Sequence, residues 1–463
     1  MERVKNMGRA DQPPTHQSPH DDGAQSCLDL ATQCVEKAVR LGAEWCDVAA
    51  GTGRDISVEI EKSGIKTADA GQGEDVAIRV YAKGGMGYAT VSGCDRRDID
   101  DAVQRAVALA KEATPDPDFK CLPEPQPRPE VEGLFDEAVA GLGVEEVVRI
   151  AVANIEAGKA MEPDANLSGH VALAVGAGAL ASSTGVALAS RATDISAHVS
   201  ALLKRDGDTG YFYEFDFGRH LADCRLERVA ESAVEGARRF LGAKRITSRR
   251  MTLVLGPLAS YGFLSQLVAA ASAESIQRGR SYLCDRLGKP IAAPCLTLVD
   301  DGLVPRGMHS GAHDGEGTRR RPLTVIQDGR LASLLHNSYT AGKAGVESTG
   351  HGTHACGISP TNLRPVLGSK TAAEILREVT DGIYLESGEI RPDPASGDIS
   401  ASIDFGFLVK DGHIVHPVEN AMLGGSIFDL LEHLDAVSSD ARTEPGILMP
   451  TLRIQDVQIA GAE

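Results

Sequence analysis

The sequence predicts an α+β protein of several domains, with N-terminal and central α/β units and a C-terminal mixed or antiparallel β-sheet domain flanked by helices. Three observations carry this reading. Apolar residues switch repeatedly between helical spacing and strict alternation along the chain. Residues 114–129, TPDPDFKCLPEPQPRP, hold six prolines and split the chain. The length of 463 residues corresponds to about three domains.

The first 25 residues are polar, with Pro13, Pro14, His16, Pro19 and His20, and are read as a disordered tail. They lack the apolar core of a signal peptide. Ser26 is placed as the cap of a helix reaching Leu41, whose apolar residues Leu28, Ala31, Cys34, Ala38 and Leu41 recur at helical spacing. Strands follow at 46–50, 56–61, 65–70, 75–81 and 87–91, with Gly84-Gly85 as a hairpin turn. A helix over 99–113 closes an N-terminal domain at 26–113. The proline-rich linker covers 114–134.

The central domain, 135–245, is read as a helix at 144–161, strands at 167–175, 179–183, 186–191 and 194–203, and a helix at 225–241. The C-terminal domain, 246–463, opens with a strand at 251–255 and a nearly uncharged helix at 258–272. Strands are expected at 296–299, 323–327, 331–334, 399–405, 407–409, 413–417 and 452–459, with helices at 371–379 and 426–434. Asp328-Gly329 and Asp411-Gly412 are hairpin turns.

Composition narrows the function. The formal charge of -18 disfavours nucleic acid and anionic membranes as partners. No apolar run approaches the roughly 18 residues of a membrane helix. Nine cysteines without a CxxC pair fit reduced thiols and a cytoplasmic protein.

The stretch 335–367, LHNSYTAGKAGVESTGHGTHACGISPTNLRPVL, has little to bury and much to bond with. His351, His354 and Cys356 form an HxxHxC cluster, a soft and borderline donor set that could hold zinc, though no fourth ligand is evident. His336 and Ser338, two apart, would share one face of a strand. A catalytic triad would need an acid and an oxyanion hole besides. His309, His313, Asp314 and Glu316 make a looser group, read as an exposed mobile loop. HExxH, GxSxG, GxGxxG and phosphate-loop motifs are all missing.

Four blocks resemble one known family. HDGEGTRRRPLTVIQDGRLASLLHNSYTAGKAGVESTG, GIYLESGEIRPDPASGDIS and LVKDGHIVHPVENAMLGG are similar to blocks of the TldD/PmbA family, as is GAEWCDVAAGTGRDISVEIEKSGIK with its continuation. The resemblance is collinear and covers nearly everything after the tail. It implies a bacterial or archaeal protein tied to peptide processing. TldD-type members carry an HExxxH zinc helix after a strand ending in Leu-Gly, completed by a cysteine near the C-terminus. Here Ser265 and Gln266 fall where the resemblance puts the His-Glu, and Ala270 where it puts the second His. No cysteine occurs from 436 to 454.

The sequence therefore resembles the PmbA (TldE-type) member. That implies a non-catalytic subunit with no cofactor of its own, paired with a TldD-type zinc subunit or with itself as a homodimer. Its substrate would be unfolded or flexible peptide. His336, Ser338, Tyr339 and Thr349 would then line the chamber or face the partner. Two alternatives stay open: a self-standing hydrolase or metal-binding enzyme using the loop of His351, His354 and Cys356, and a protein-binding scaffold.

Overall fold

The computed structural model describes residues 19–93 and 95–461. The first 18 residues of the expected tail lie outside that range. From Pro19 the chain is helical, so the tail reading is corrected there. Helix α1 (Pro19–Arg40) begins well before Ser26, which sits inside it rather than capping it. The helix is worth extending because Ala24 and Cys27 continue the buried stripe of Ala31, Cys34, Val35 and Ala38.

Two long strands follow, β1 (Trp45–Glu61) and β2 (Gly64–Ala82), then β3 (Gly85–Ser92). The sequence breaks β1 at Gly51 and β2 at Gly71, yet both strands run through. Gly53 faces Gly73 on one side and Gly176 on the other, so the ladder of backbone hydrogen bonds continues without side chains. Helix α2 (Arg96–Glu112) is capped by Asp95, whose carboxylate accepts from Arg97 N.

After the proline-rich crossing come α3 (Glu137–Ala140), α4 (Val144–Met161), the strands β4 (Asn166–Ser182), β5 (Ala187–Arg205) and β6 (Asp208–Gly218), and α5 (Val229–Arg239). All six strands form a single antiparallel sheet, ordered β3-β2-β1-β4-β5-β6. The units read as N-terminal and central domains thus share one sheet. Alternation places Val48, Ala50, Ile56, Val58 and Ile60 of β1 on one face, under α1, α2, α4 and α5. Among the described residues, the opposite face carries no helix of these two units.

The C-terminal part starts with β7 (Arg249–Leu255), α6 (Pro257–Ala270) and α7 (Ala273–Gln277). It continues through β8 (Leu298–Asp300), β9 (Leu323–Gln327), β10 (Arg330–Leu331), α8 (Ser338–Ala344), β11 (Leu363–Pro365) and α9 (Ala372–Arg377). The last elements are β12 (Asp381–Ser387), β13 (Asp398–Ser402), β14 (Phe405–Lys410), β15 (His413–Pro417), β16 (Ala421–Ser426), α10 (Ile427–Glu432), β17 (Leu434–Glu444) and β18 (Ile447–Gly461). Asp328-Gly329 and Asp411-Gly412 both have positive φ, the backbone a two-residue hairpin turn demands.

One sheet of this part is mixed, ordered β13-β16-β18-β7-β12-β14-β15 with β17 also on β18, and its β7–β12 pair is parallel. A small sheet, β10-β9-β8-β11, stands beside it. Helix α6 lies in the main core, with Phe263, Leu264 and Leu267 fully buried. Each such side chain contributes about 1.5–3 kcal/mol. Among the described residues no helix is long and apolar enough to cross a membrane.

Candidate functional site

On the open face of the six-stranded sheet, a buried arginine joins the sheet to the C-terminal part. Arg79 on β2 is the register partner of Asp47 on β1, and both are about 1% exposed. Arg79 donates through Nε to Asp47 Oδ1 at 2.9 Å and through Nη2 to Oδ2 at 2.6 Å. Its Nη1 donates to Glu316 Oε1 at 3.0 Å and lies 3.3 Å from Cys356 Sγ. The other oxygen of Glu316 accepts Ser338 N at 2.7 Å, holding the start of α8. Asn337 caps that helix through Thr340 N, at 2.9 Å.

Above this cluster lies a cavity of about 530 Å³ between the two parts of the chain. Arg79, Glu316 and Cys356 line it together with Met86, Arg278 and Tyr339. Interfaces between domains are common places for binding sites.

The structure separates most of the residues singled out from sequence. His336 is buried, and its Nδ1 lies 3.2 Å from Thr340 Oγ1. Ser338 opens α8 rather than extending a strand, so the expected pairing of His336 with Ser338 on one strand face is corrected. Tyr339 donates its hydroxyl to Asp116 Oδ2 at 3.0 Å and lines the cavity. Thr349 is buried between His336 N, which donates to its Oγ1, and His351 Nδ1, 2.9 Å away.

The three residues of the HxxHxC loop point to three different partners. His351 Nε2 lies 2.9 Å from Asp300 Oδ1. His354 sits 3.7 Å from Asp47 Oδ2 with neither ring nitrogen hydrogen-bonded, and burial holds its pKa below the usual value. Cys356 turns to Arg79, on a backbone with φ of 67°. Among the described residues no three His, Cys, Asp or Glu side chains come together as a metal-holding group.

The loose group at 309–316 is not the exposed loop expected. Asp314 and Glu316 are each 2% exposed. Asp314 accepts from the N–H groups of Glu316, Thr318 and Gly352 at 2.7–2.9 Å. Burial, and then the charge of Glu316, push its carboxyl up to about 6. A run of Gly and polar residues reads as solvated, whereas here the backbone itself supplies the bonds that let the carboxylates go inside.

On α6, Ser265 donates to the carbonyl of Gly262, one turn back, at 2.9 Å, while Gln266 and Ala270 are half-buried. A hydroxyl, a carboxamide and a methyl group do not supply zinc's usual donors, so these positions do not fit that metal. Sequence reading missed Asp47 and Arg79. The available signal was an arginine inside the strand run VAIRVYA, where a charge needs a buried partner.

Comparison with known proteins places this architecture. The PmbA/TldA metallopeptidase domain 1 matches residues 46–110, the central domain 139–241 and the C-terminal domain 248–461. The chain belongs to the PmbA/TldD family. It is 25% identical over 450 residues to the metalloprotease PmbA of Escherichia coli O157:H7, covering 93% of this chain and 96% of that protein. A metalloprotease TldD homolog of Buchnera aphidicola subsp. Acyrthosiphon pisum is 26% identical over 266 residues, 52% of this chain and 54% of that protein. The crystal structure of TldE from Thermococcus kodakarensis has the same fold, with a TM-score of 0.85 at 21% identity, over 93% of this chain and all of that one.

Proposed function

We propose that this chain is the PmbA/TldE-type, non-catalytic subunit of a TldD/TldE-like zinc metallopeptidase that degrades or processes unfolded peptides. The observation that carries the reading is α6. Where the family resemblance puts two histidines and a glutamate, this helix has Ser265, Gln266 and Ala270. The near full-length match to PmbA, beside the half-length match to a TldD homolog, supports the same reading.

In this reading the hydrolytic zinc belongs to a TldD-type partner. This chain supplies part of the chamber wall, and only extended peptide enters. An extended peptide is held through its backbone, as an added strand. All described cysteines are free, which supports a cytoplasmic setting.

Peptidase assays on an unfolded protein substrate test the proposal. The purified chain alone should show no chelator-sensitive cleavage, and adding a zinc-bearing TldD-type subunit should produce it. Chelator-sensitive cleavage by the single chain would overturn the reading. So would stable pairing only with itself, without any effect on a TldD-type subunit.

A further inference from the structure

The basic run Arg319-Arg320-Arg321 leads into β9, and its side chains part. Arg320 turns inward and donates to the carbonyl of His309 at 2.5 Å. Arg319 and Arg321 line a groove of about 480 Å³ beside α8. Lys120, on the proline-rich crossing, lines the same groove. A pocket of about 160 Å³ adjoins it: Gln126, Pro127 and Arg319 line both, and Arg128 lines the smaller one.

Four cations thus border the two spaces. Against them stands one carboxylate, Glu347, whose side chain is 90% exposed and lies 4.0 Å from Arg321 Nη1. Lys120 Nζ donates to the carbonyl of Pro117 at 3.0 Å, which leaves its charge unmatched. Arg319 is exposed and has no ion pair among the described residues. In a chain of formal charge -18 this is a local excess of positive charge. A cleft lined by one sign of charge focuses its field on whatever enters.

The shape of the groove selects an extended chain. From Phe119 to Gly133 the crossing has no helix, strand, turn or bend, and its prolines keep it stretched. Lys120 and Arg128 lie eight residues apart on it, about 25 Å at roughly 3.1 Å per residue. A small anion can meet one of these cations. A polypeptide lying along the crossing can bring carboxylates to all of them. Ser338 and Ser348 add hydroxyls to the groove, and Val346, 54% exposed, adds an apolar contact. A nucleic acid, charged along its whole length, would be repelled by the acidic remainder of the surface.

We infer that this groove binds an acidic stretch of extended polypeptide, its carboxylates paired with Lys120, Arg128, Arg319 and Arg321. The groove shares no residue with α6, and binding there requires neither hydrolysis nor a second subunit. The inference therefore stands apart from the subunit reading.

The test is isothermal titration of the full chain, at low ionic strength, with a synthetic peptide of about twelve residues alternating Glu and Ser. One equivalent should bind, and more weakly as salt is raised. The matching Gln-Ser peptide should bind at least about tenfold more weakly, and the Lys-Ser peptide not at all. Arg319→Gln and Arg321→Gln should each weaken binding roughly two- to fivefold, the usual worth of one exposed charge pair. Lys120→Gln/Arg319→Gln/Arg321→Gln should lose about tenfold or more as the losses compound. Arg319→Lys/Arg321→Lys, which keeps the charge, should retain most of the affinity. Arg149→Gln on α4, a side chain 72% exposed, should bind as the parent does. The inference is overturned if the parent does not bind the Glu-Ser peptide, or binds the Gln-Ser peptide equally well. Full affinity in the triple variant would also overturn it, as would equally tight binding of a single-stranded oligonucleotide of the same charge. The peptide series on the parent chain decides the matter even where a variant fails to fold.

Discussion

Arg79 Nη1 lies 3.0 Å from Glu316 Oε1, across 237 residues of sequence. One guanidinium thereby ties β1, β2, the loop at 314–318 and the start of α8 to one point. Removing it would leave two carboxylates buried without a counter-charge. Arg79→Met should lower unfolding free energy by about 3–5 kcal/mol, the usual cost of breaking a buried pair from one side. Urea denaturation measures this. Hydrogen exchange should rise first in α8, where Ser338 N would lose its ordered acceptor. An unchanged midpoint would show that Asp47 and Glu316 take up protons or water at little cost.

This joint also marks where sequence reading stops. The helices at 99–113 and 144–161 and the Asp-Gly turns are local, so spacing and turn chemistry reveal them. That Ser265, Gln266 and Ala270 are not zinc's usual donors is equally local, a matter of residue identity. Asp47, Arg79 and Glu316 lie far apart in the chain, and only the sheet register and the packing of one part on another bring them together. Strands β1 and β2 looked broken for a related reason. Gly51, Gly53, Gly71 and Gly73 weaken a strand on its own, while neighbours on both sides of β1 restore it.

Two groups near the joint should give stability opposite dependences on pH. Burial holds the His354 imidazole below its usual 6.5. The unfolded chain then binds its proton first, and stability falls as pH drops below 6.5. Asp314 is raised from 3.8 to about 6 by burial and by Glu316. Here the folded chain holds the extra proton, so that contribution is full below 3.8 and is lost as pH rises toward 6. His354→Leu should therefore flatten the acid-side loss, and it also removes two ring nitrogens that have no partner. Asp314→Asn should steepen it. Urea midpoints at pH 5 and pH 7.5 decide both; a His354→Leu profile parallel to the parent would show that the imidazole takes up its proton alike in both states.

Helix α2 packs on β3 through Gly87. A Cβ there would stand 2.0 Å from the carbonyl oxygen of Ala106 and 2.7 Å from Ala110 N, both backbone atoms of α2. Gly87→Ala should cost at least the roughly 1–3 kcal/mol typical of overpacking, because a helix must move rather than a side chain. Gly73→Ala is the control, since a Cβ at that position meets nothing within 4 Å. It should stay within about 0.5 kcal/mol of the parent. Equal melting shifts for the two variants would mean that α2 gives way freely.

The geometry of α6 predicts that histidines and a glutamate placed at Ser265, Gln266 and Ala270 will not bind zinc. Ser265 and Ala270 are five residues apart on a helix that is α-helical throughout Pro257–Ala270. At 3.6 residues per turn, side chains five apart point about 140° away from one another, against about 40° for a pair four apart. Two histidines at these positions cannot both reach one ion unless the helix widens locally. Residues 436–454 also offer no cysteine to complete the set. The variant Ser265→His/Gln266→Glu/Ala270→His should therefore retain no stoichiometric zinc after dialysis. Elemental analysis reads this directly. Retention of one equivalent would mean that α6 rewinds around the ion.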